Sequence, residues 1–196
     1  MTTPDGPAPD PSRPGRPGDL GKPGKYALVE RERRFLLGTV PRFPADTAVR
    51  EITDRYVTGT RLRLRRSRLP GAGAGARTEL KLTQKVPAAS GGAVQGLITT
   101  FYLSEAEYEA LLALPARVLR KTRRSLPPLG VDVFEGPLAG LVLAEAEFES
   151  DEEAAAFAVP PLAVAEVTAD PRFTGGRLAR TSPEELRALL AEFGLP

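Results

Sequence analysis

The chain has 196 residues, of which 41% are hydrophobic and 27% charged, a composition typical of one globular domain rather than a disordered chain. It contains no cysteine and no histidine, which excludes disulfides, thiolate nucleophiles, zinc–sulfur sites and histidine bases. Its 27 basic and 25 acidic residues nearly cancel, so the total charge does not indicate a nucleic-acid-binding protein.

Residues 1–24 consist largely of proline, glycine and polar residues, with almost nothing apolar. Such a segment cannot offset its ordering entropy, so we expect a disordered tail followed by one domain over residues 25–196. No secretory signal precedes the domain, and no apolar run in it reaches about 18 residues. The sequence therefore predicts a cytoplasmic protein that has neither a membrane nor a nucleic acid as a partner.

From residue 26 onward, six stretches carry polar side chains at every second position, which is the pattern of β-strands. The residues that share a face in each stretch are Glu30, Glu32 and Arg34; Arg61, Arg63 and Arg65; Glu79, Lys81, Thr83 and Lys85; Lys121 and Arg123; Glu145 and Glu147; and Glu166, Thr168 and Asp170. The glycine-rich segments 68–77 and 86–96 predict loops.

Three capping signals predict helices between and after these strands. Ser104 opens a helix to about Leu114, Ser150 opens a second over DEEAAAF, and Ser182 with Pro183 opens a third over LRALLAEFG. The expected fold class is α+β, with mainly antiparallel strands and few helices.

The charges come in blocks of one sign, and two arrangements explain this. In the first, each block is a solvated outer face, as in an ordinary antiparallel sheet. In the second, the strands close into a tunnel-like β-barrel with the charges inside and helices packed outside. The interior would then hold a polyanion between Arg61, Arg63, Arg65, Lys81, Lys85, Lys121 and Arg123, and divalent ions on Glu30, Glu32, Glu145 and Glu147.

Several motifs, taken in order, resemble the CYTH domain of the triphosphate tunnel metalloenzymes. Residues 30–34 (ERERR) resemble its E-x-E-x-K signature, and residues 62–65 (LRLR) its L-R-x-R strand. Further similar segments are ELK at 79–81, KTR at 121–123, VDVFEGPLAGL at 131–141, AEAEF at 144–148 and EVTADPRF at 166–173. The resemblance covers the whole predicted domain.

This resemblance implies an eight-stranded tunnel that binds a triphosphate together with Mg²⁺ or Mn²⁺. By position, the implied metal ligands are Glu30, Glu32, Asp132, Glu145 and Glu147. The implied phosphate-binding residues are Arg34, Arg63, Arg65, Lys81, Lys121 and Arg123, to which the alternation alone adds Arg61. Glu147, Asp132 and Lys121 are the candidate catalytic residues, the two carboxylates as groups that orient the attacking water.

The sequence departs from the family pattern at two places. The signature lysine is Arg34, and a guanidinium keeps the charge but hardly ever gives up its proton. The strand before the first helix, residues 97–103, lacks the acidic pair of many members, so one metal ion is expected rather than two.

The favoured function is metal-dependent hydrolysis of inorganic triphosphate, because this substrate needs no base or sugar pocket. Aromatic residues make up 6% of the chain and tryptophan is absent. A class IV-type adenylate cyclase is one alternative, and a non-catalytic module that binds polyphosphate or an organic phosphate is another. The sequence leaves a homodimer open.

Overall fold

The computed structural model describes residues 25–70, 77–88 and 92–196. The predicted tail 1–24 lies outside the described residues, as do positions 71–76 and 89–91 within the two predicted loops. The described strands are β1 Leu28–Leu37, β2 Val49–Val57, β3 Leu62–Leu69, β4 Arg77–Pro87, β5 Val94–Tyr102, β6 Ala116–Leu126, β7 Leu129–Phe134, β8 Val142–Glu147 and β9 Ala163–Glu166.

Eight of these strands form a closed antiparallel barrel. Their order around the wall is β5-β4-β3-β2-β6-β7-β8-β1, and β1 closes the ring by pairing with β5. The first half of β1 pairs with β5, whereas its second half pairs with β9 on the same side. The predicted tunnel-like barrel of eight strands is confirmed, with β9 as an addition beside β1.

The helices are α1 Glu105–Leu111, α2 Asp151–Ala156, α3 Gly175–Leu178 and α4 Pro183–Ala191, with short 3-10 helices at Gly136–Leu138 and Pro171–Phe173. All three predicted N-caps are present, since the side chains of Ser104, Ser150 and Ser182 each accept a backbone hydrogen bond three residues on. The first helix ends at Leu111, so the predicted extension to about Leu114 is wrong.

Outward apolar side chains of β1, β3, β4, β7 and β8 are covered as predicted, whereas the outward faces of β2 and β6 are largely polar. Phe35 and Leu37 of β1 pack outside the barrel with Val131 and Ala144 of the neighbouring strands. On the far side, Tyr108 of α1 packs on the outer leucines of β3 and β4. Burying a large apolar side chain in this way stabilises the fold by about 1.5–3 kcal/mol.

One end of the barrel is filled by a third apolar cluster. Leu36, Leu119 and Leu143 point inward at this end, in the same alternation that carries charge elsewhere on their strands. The leucines of α4 and Phe173 pack against them. The C-terminal segment therefore closes an end of the barrel, whereas the sequence placed every helix against its outer wall.

The last predicted strand is shorter than expected. β9 ends at Glu166, so the alternation that was predicted to continue to Asp170 does not describe a strand. Asp170 instead accepts a hydrogen bond from the backbone N–H of Arg172 at 2.9 Å and starts a 3-10 helix. In the described part of the chain, none of the helices has the length and apolar character needed to cross a membrane.

Candidate functional site

The barrel encloses a cavity of about 510 Å³ that is lined by charged side chains from five strands and from Arg61, just before β3. These residues are Glu30, Glu32, Arg34, Arg61, Arg63, Arg65, Lys81, Lys85, Lys121, Arg123, Glu145 and Glu147. The structure thus brings together the predicted site residues with one exception, Asp132. The inward orientation of the charge blocks decides between the two arrangements that the sequence left open.

A second cavity of about 580 Å³ continues the charged interior toward the other end of the barrel. Arg65, Lys81, Arg123 and Glu147 line both cavities, so they lie where the two meet. A polyanion bound in the first cavity would therefore have cations along its length and a polar space beyond it.

On one wall, Asp54 of β2 lies behind the arginines of β3. Its carboxylate is 1% exposed and accepts hydrogen bonds from Arg65 Nε at 2.6 Å and a terminal Arg65 nitrogen at 2.8 Å. Arg63 Nε lies 3.7 Å away. Burial alone would raise the pKa of Asp54, but Arg65 and Arg63 outweigh it and lower the pKa to about 2. Asp54 is therefore a permanent anion of the wall.

Two strands further round the same wall, Asp132 of β7 has the same relation to the cations of the intervening strand β6. It is fully buried and accepts hydrogen bonds from Lys121 and from Arg123, whose Nε lies 2.6 Å from Oδ1. Arg123 also contacts Glu145. Asp132 lies behind these cations and does not line the cavity. Its roles as a metal ligand and catalytic residue stay predictions.

The four inward glutamates differ in how their charge is balanced. Glu30 is paired with Lys85, with both carboxylate oxygens within 2.9 Å of Nζ. Despite burial, Lys121 and Arg123 lower the pKa of Glu145. Burial, and after it the Glu145 carboxylate, raise the pKa of Glu32 to about 8. Within the described residues Glu147 forms no ion pair, so this cluster has carboxylate charge left over.

The donor set of this cluster is all oxygen, which suits hard cations such as Mg²⁺ or Mn²⁺. The raised pKa of Glu32 indicates that a further positive charge would be favourable there. Yet among the described residues, no three acidic side chains lie together as a ready group of metal ligands. The chemistry of the residues thus fits a divalent ion, although their arrangement is not a preformed metal site.

Arg34 stands where the resemblance predicted the signature lysine. Its terminal nitrogens donate to the Phe173 carbonyl at 3.0 Å, the Thr168 carbonyl at 3.1 Å and Gln95 Oε1 at 2.6 Å. Its Nε lies 3.3 Å from Glu32 and is buried without a hydrogen bond. A lysine has no such planar set of donors. Arg34 therefore ties β1 to β5 and to the C-terminal segment, while its predicted phosphate contact stays a prediction.

Sequence reasoning missed strand β2 and the residues it contributes. Ile52, Asp54 and Tyr56 alternate inward on it, and Tyr56 lines the cavity. The signal was present as a period of two in REITDRYV, a segment rich in β-branched and aromatic residues. Gln95, which accepts from Arg34, lay in a segment that the glycine content predicted as a loop.

The closed antiparallel barrel and its charged interior define a tunnel-type barrel that is suited to a polyanion. The chain is 32% identical over 166 residues to an inorganic triphosphatase of Nitrosomonas europaea, an alignment that covers 80% of this chain and all of that protein. The crystal structure of the inorganic triphosphatase NE1496 matches 80% of this chain and 97% of its own, with a TM-score of 0.52 and 28% identity.

A second crystal structure of NE1496 matches with a TM-score of 0.51 and 31% identity, covering 79% of this chain and all of that one. No family model matches the sequence. Identity above 30% over the whole length of the relative shows common descent, and the barrel agrees with it. The chain belongs to the triphosphate tunnel (CYTH) family that includes these inorganic triphosphatases.

Proposed function

We propose that this protein is a divalent-metal-dependent inorganic triphosphatase, which hydrolyses triphosphate to diphosphate and orthophosphate. The observation that carries this proposal is the enclosed cavity of about 510 Å³ with cations and glutamates facing each other across it. The relatives named above support the same activity, since they are inorganic triphosphatases.

Binding of the triphosphate is assigned to the cations of three strands. Arg63 and Arg65 of β3, Lys81 of β4, and Lys121 and Arg123 of β6 all reach the same cavity. Arg61 is exposed and lines the cavity as well. Guanidinium groups bind phosphate oxygens through paired hydrogen bonds and ammonium groups act as point charges. This set would neutralise and align a linear chain of phosphates.

Hydrolysis requires a water molecule in line with the terminal phosphorus, and the candidate group to orient it is Glu147. Its carboxylate lines both cavities and forms no ion pair with the described residues. It is therefore available to accept a hydrogen bond from water, unlike Glu30 and Asp132, which basic side chains already engage. Positioning and electrostatics carry such reactions, without a covalent intermediate.

A divalent ion is part of this proposal, with Glu30, Glu32, Glu145 and Glu147 as the residues that would hold it. When bound, such an ion neutralises charge on phosphate oxygens and stabilises the charge that develops in the reaction. Asp132 is fully buried behind Lys121 and Arg123 and does not line the cavity, whereas all four glutamates do. The four glutamates are thus the simpler set.

Inorganic triphosphate fits the cavity better than a nucleotide does. The aromatic residues that line the cavity are Tyr56, Phe134 and Phe173. Phe134 and Phe173 are 4% and 1% exposed, because they pack into the apolar end of the barrel. Their ring faces are therefore occupied, and among the described lining residues only Tyr56 remains as a stacking partner for a base.

The test is release of orthophosphate from inorganic triphosphate, and ATP and thiamine triphosphate are assayed separately as alternative substrates. Each assay is run with Mg²⁺, with Mn²⁺ and with chelator, on wild type and on Glu30→Gln, Glu147→Gln and Lys121→Ala. We expect metal-dependent release that is fastest on inorganic triphosphate and about 100-fold slower in Glu147→Gln, the loss usual for a positioned acid–base group.

A matched control is Glu109→Gln on the exposed outer helix α1, which we expect to keep the wild-type rate. Release that is equally fast with chelator would contradict the metal requirement. Formation of cyclic AMP from ATP, measured in the same reactions, would favour a cyclase over a hydrolase.

A binding module without turnover is the second candidate, and two observations favour it. The described residues hold no ready group of three metal ligands, and Arg34 is engaged by carbonyls and Gln95. This candidate is supported if no substrate is turned over, triphosphate still binds and Lys121→Ala weakens that binding. The tunnel would then bind triphosphate without hydrolysing it.

A further inference from the structure

Asp54 is a buried charge that the proposed chemistry does not use. It is 1% exposed, does not line the cavity and lies opposite Arg65 in the pairing of β2 with β3. Its two oxygens each accept a hydrogen bond from Arg65, at 2.6 and 2.8 Å. A buried carboxylate is costly unless it is paired, and here Arg65 supplies a charged donor to each oxygen of Asp54.

The two-oxygen contact fixes the direction of the Arg65 head. Arg65 donates Nε and one terminal nitrogen to Asp54, and the planar guanidinium then holds its other terminal nitrogen in one orientation. Arg65 itself lines both cavities, so its side chain lies in the part of the tunnel where they meet. Asp54 thus fixes the orientation of the Arg65 guanidinium before an anion binds.

The adjoining strand pair, β6 with β7, repeats the arrangement. Asp132 lies across from Arg123 in the pairing of β7 with β6, and Arg123 donates Nε and a terminal nitrogen to it at 2.6 and 2.7 Å. Each aspartate also lies beside a second cation, which stands two residues before the first on the same strand. This second cation is Arg63 for Asp54 and Lys121 for Asp132. Two neighbouring strand pairs therefore each place a buried aspartate behind two inward cations.

We propose that Asp54 is a positioning residue that holds Arg65 ready for the phosphates of the substrate. The proposal rests on the proposed triphosphate site. A group ordered before binding loses less entropy on binding, so this ordering would strengthen affinity. Because its pKa is lowered, the Asp54 carboxylate stays ionised over the whole physiological pH range.

Removing the negative charge separates positioning from simple electrostatics, because the two predict opposite signs. If Asp54 were only a charge near a polyanion, Asp54→Asn would tighten triphosphate binding by removing repulsion. If Asp54 positions Arg65, the same variant weakens binding, by about tenfold for the loss of one ordered charged contact. The control is Glu51→Gln, an exposed residue of the same strand that points outward.

The test measures binding of inorganic triphosphate by calorimetry to Asp54→Asn, Arg65→Ala and the double variant, each checked for folding. We expect Asp54→Asn to weaken binding on its own and to add nothing in the Arg65→Ala background. Unchanged or tighter binding in Asp54→Asn, or the same loss with and without Arg65, would overturn the proposal.

A second measurement needs no variant and covers the case in which Asp54→Asn does not fold. Nitrogen relaxation of the arginine Nε–H groups in the ligand-free wild type should show Arg65 and Arg123 as rigid as the backbone. Arg50, which is 45% exposed, is the mobile internal reference. An Arg65 head as mobile as that of Arg50 would overturn the proposal. If the wild type binds no triphosphate, the proposed function fails. The relaxation result still tests whether Asp54 orders the Arg65 head.

Discussion

The inward face of the barrel changes from charged to apolar within two residues on several strands. On β1, Arg34 is followed by Leu36; on β8, Glu145 is preceded by Leu143. Side chains on one face of a strand differ only in depth along the barrel. The strand geometry is therefore the same in the two regions, and only the residue types differ. The apolar region meets α4 and Phe173, and the charged region meets the cavity.

The two regions contribute to the fold in opposite ways. Burial of Leu36, Leu143 and their neighbours removes apolar surface from water and stabilises the barrel. Charges such as Arg34, Asp54 and Asp132 are almost as buried, and ion pairs at such depth often stabilise no better than apolar residues would. We infer that the apolar end carries the stability, while the charged part is kept for its ligand.

The sharpest way to break this comparison is to truncate the apolar end. Leu36 is fully buried, so Leu36→Ala should lower the free energy of unfolding by about 2–5 kcal/mol through lost transfer energy and a cavity. Urea unfolding measures this loss, and triphosphate affinity of the remaining folded protein should stay near wild type. The control is Leu28→Ala on the same strand, which is 68% exposed and should change stability by less than about 0.5 kcal/mol. Similar losses in both variants would contradict the assignment.

The charged region should reveal its own contribution through pH. The pKa of Asp54 is lowered from its ordinary 3.8 to about 2, so the folded state binds the proton less well than the unfolded state does. The ionised carboxylate therefore stabilises the fold by about 2 kcal/mol above pH 4, and this contribution disappears as the pH falls toward 2.

Urea unfolding of wild type and Asp54→Asn at a series of pH values checks this. The stability difference between the two proteins should be constant above about pH 5 and should shrink by about 2 kcal/mol on approach to pH 2. A difference that stays the same across the series would show that Asp54 is not held ionised by the arginines.

A charge that lines the cavity but is partly exposed should affect binding more than stability. Lys81 and its partner Glu79 are each 25% exposed and lie 2.8 Å apart. Pairs of this kind are worth less than about 1 kcal/mol, so Lys81→Met should unfold almost as the wild type does. Losing one ammonium contact to phosphate should weaken triphosphate binding about tenfold. Lys81→Arg is the matched control, and a larger loss in stability than in affinity would reverse the roles of the two regions.

The alternation of charge predicted the strands that carry the charged lining and their inward faces, whereas β2 was missed and the closed barrel was implied by the resemblance to the CYTH domain. Arg63, Lys81 and Glu145 all point where the pattern placed them, because a period of two leaves a side chain only two directions. The apolar end could not be predicted, since Leu36 and Leu143 continue the same alternation without a change of period. Their contact with α4 depends on a helix that begins at Pro183, at least 40 residues later in the sequence than either leucine.

The site was predictable by type of residue and not by partner. Glu30 and Lys85 are 55 residues apart in sequence, and their pairing depends on how β4, β5 and β1 align in the closed ring. Asp132 was predicted as a metal ligand from its place in a motif, but the motif does not say that Lys121 and Arg123 enclose its carboxylate. The depth of a charged side chain in the barrel and its ion-pair partner depend on the assembled ring of strands. The alternation within one strand shows neither.

The smallest expected effect tests whether α4 belongs to the apolar region alone. Ser182 accepts a hydrogen bond from Glu185 N–H at 3.2 Å and donates its own N–H to the Glu185 carboxylate at 2.8 Å, which forms a capping box. Ser182→Ala should lower the free energy of unfolding by about 1 kcal/mol, and Ser182→Asp should restore it. Because α4 contacts the apolar end and not the charged residues, triphosphate affinity should be unchanged in both variants. A loss of affinity in Ser182→Ala that Ser182→Asp recovers would show that the helix also orders the cavity, and the two regions would then be coupled.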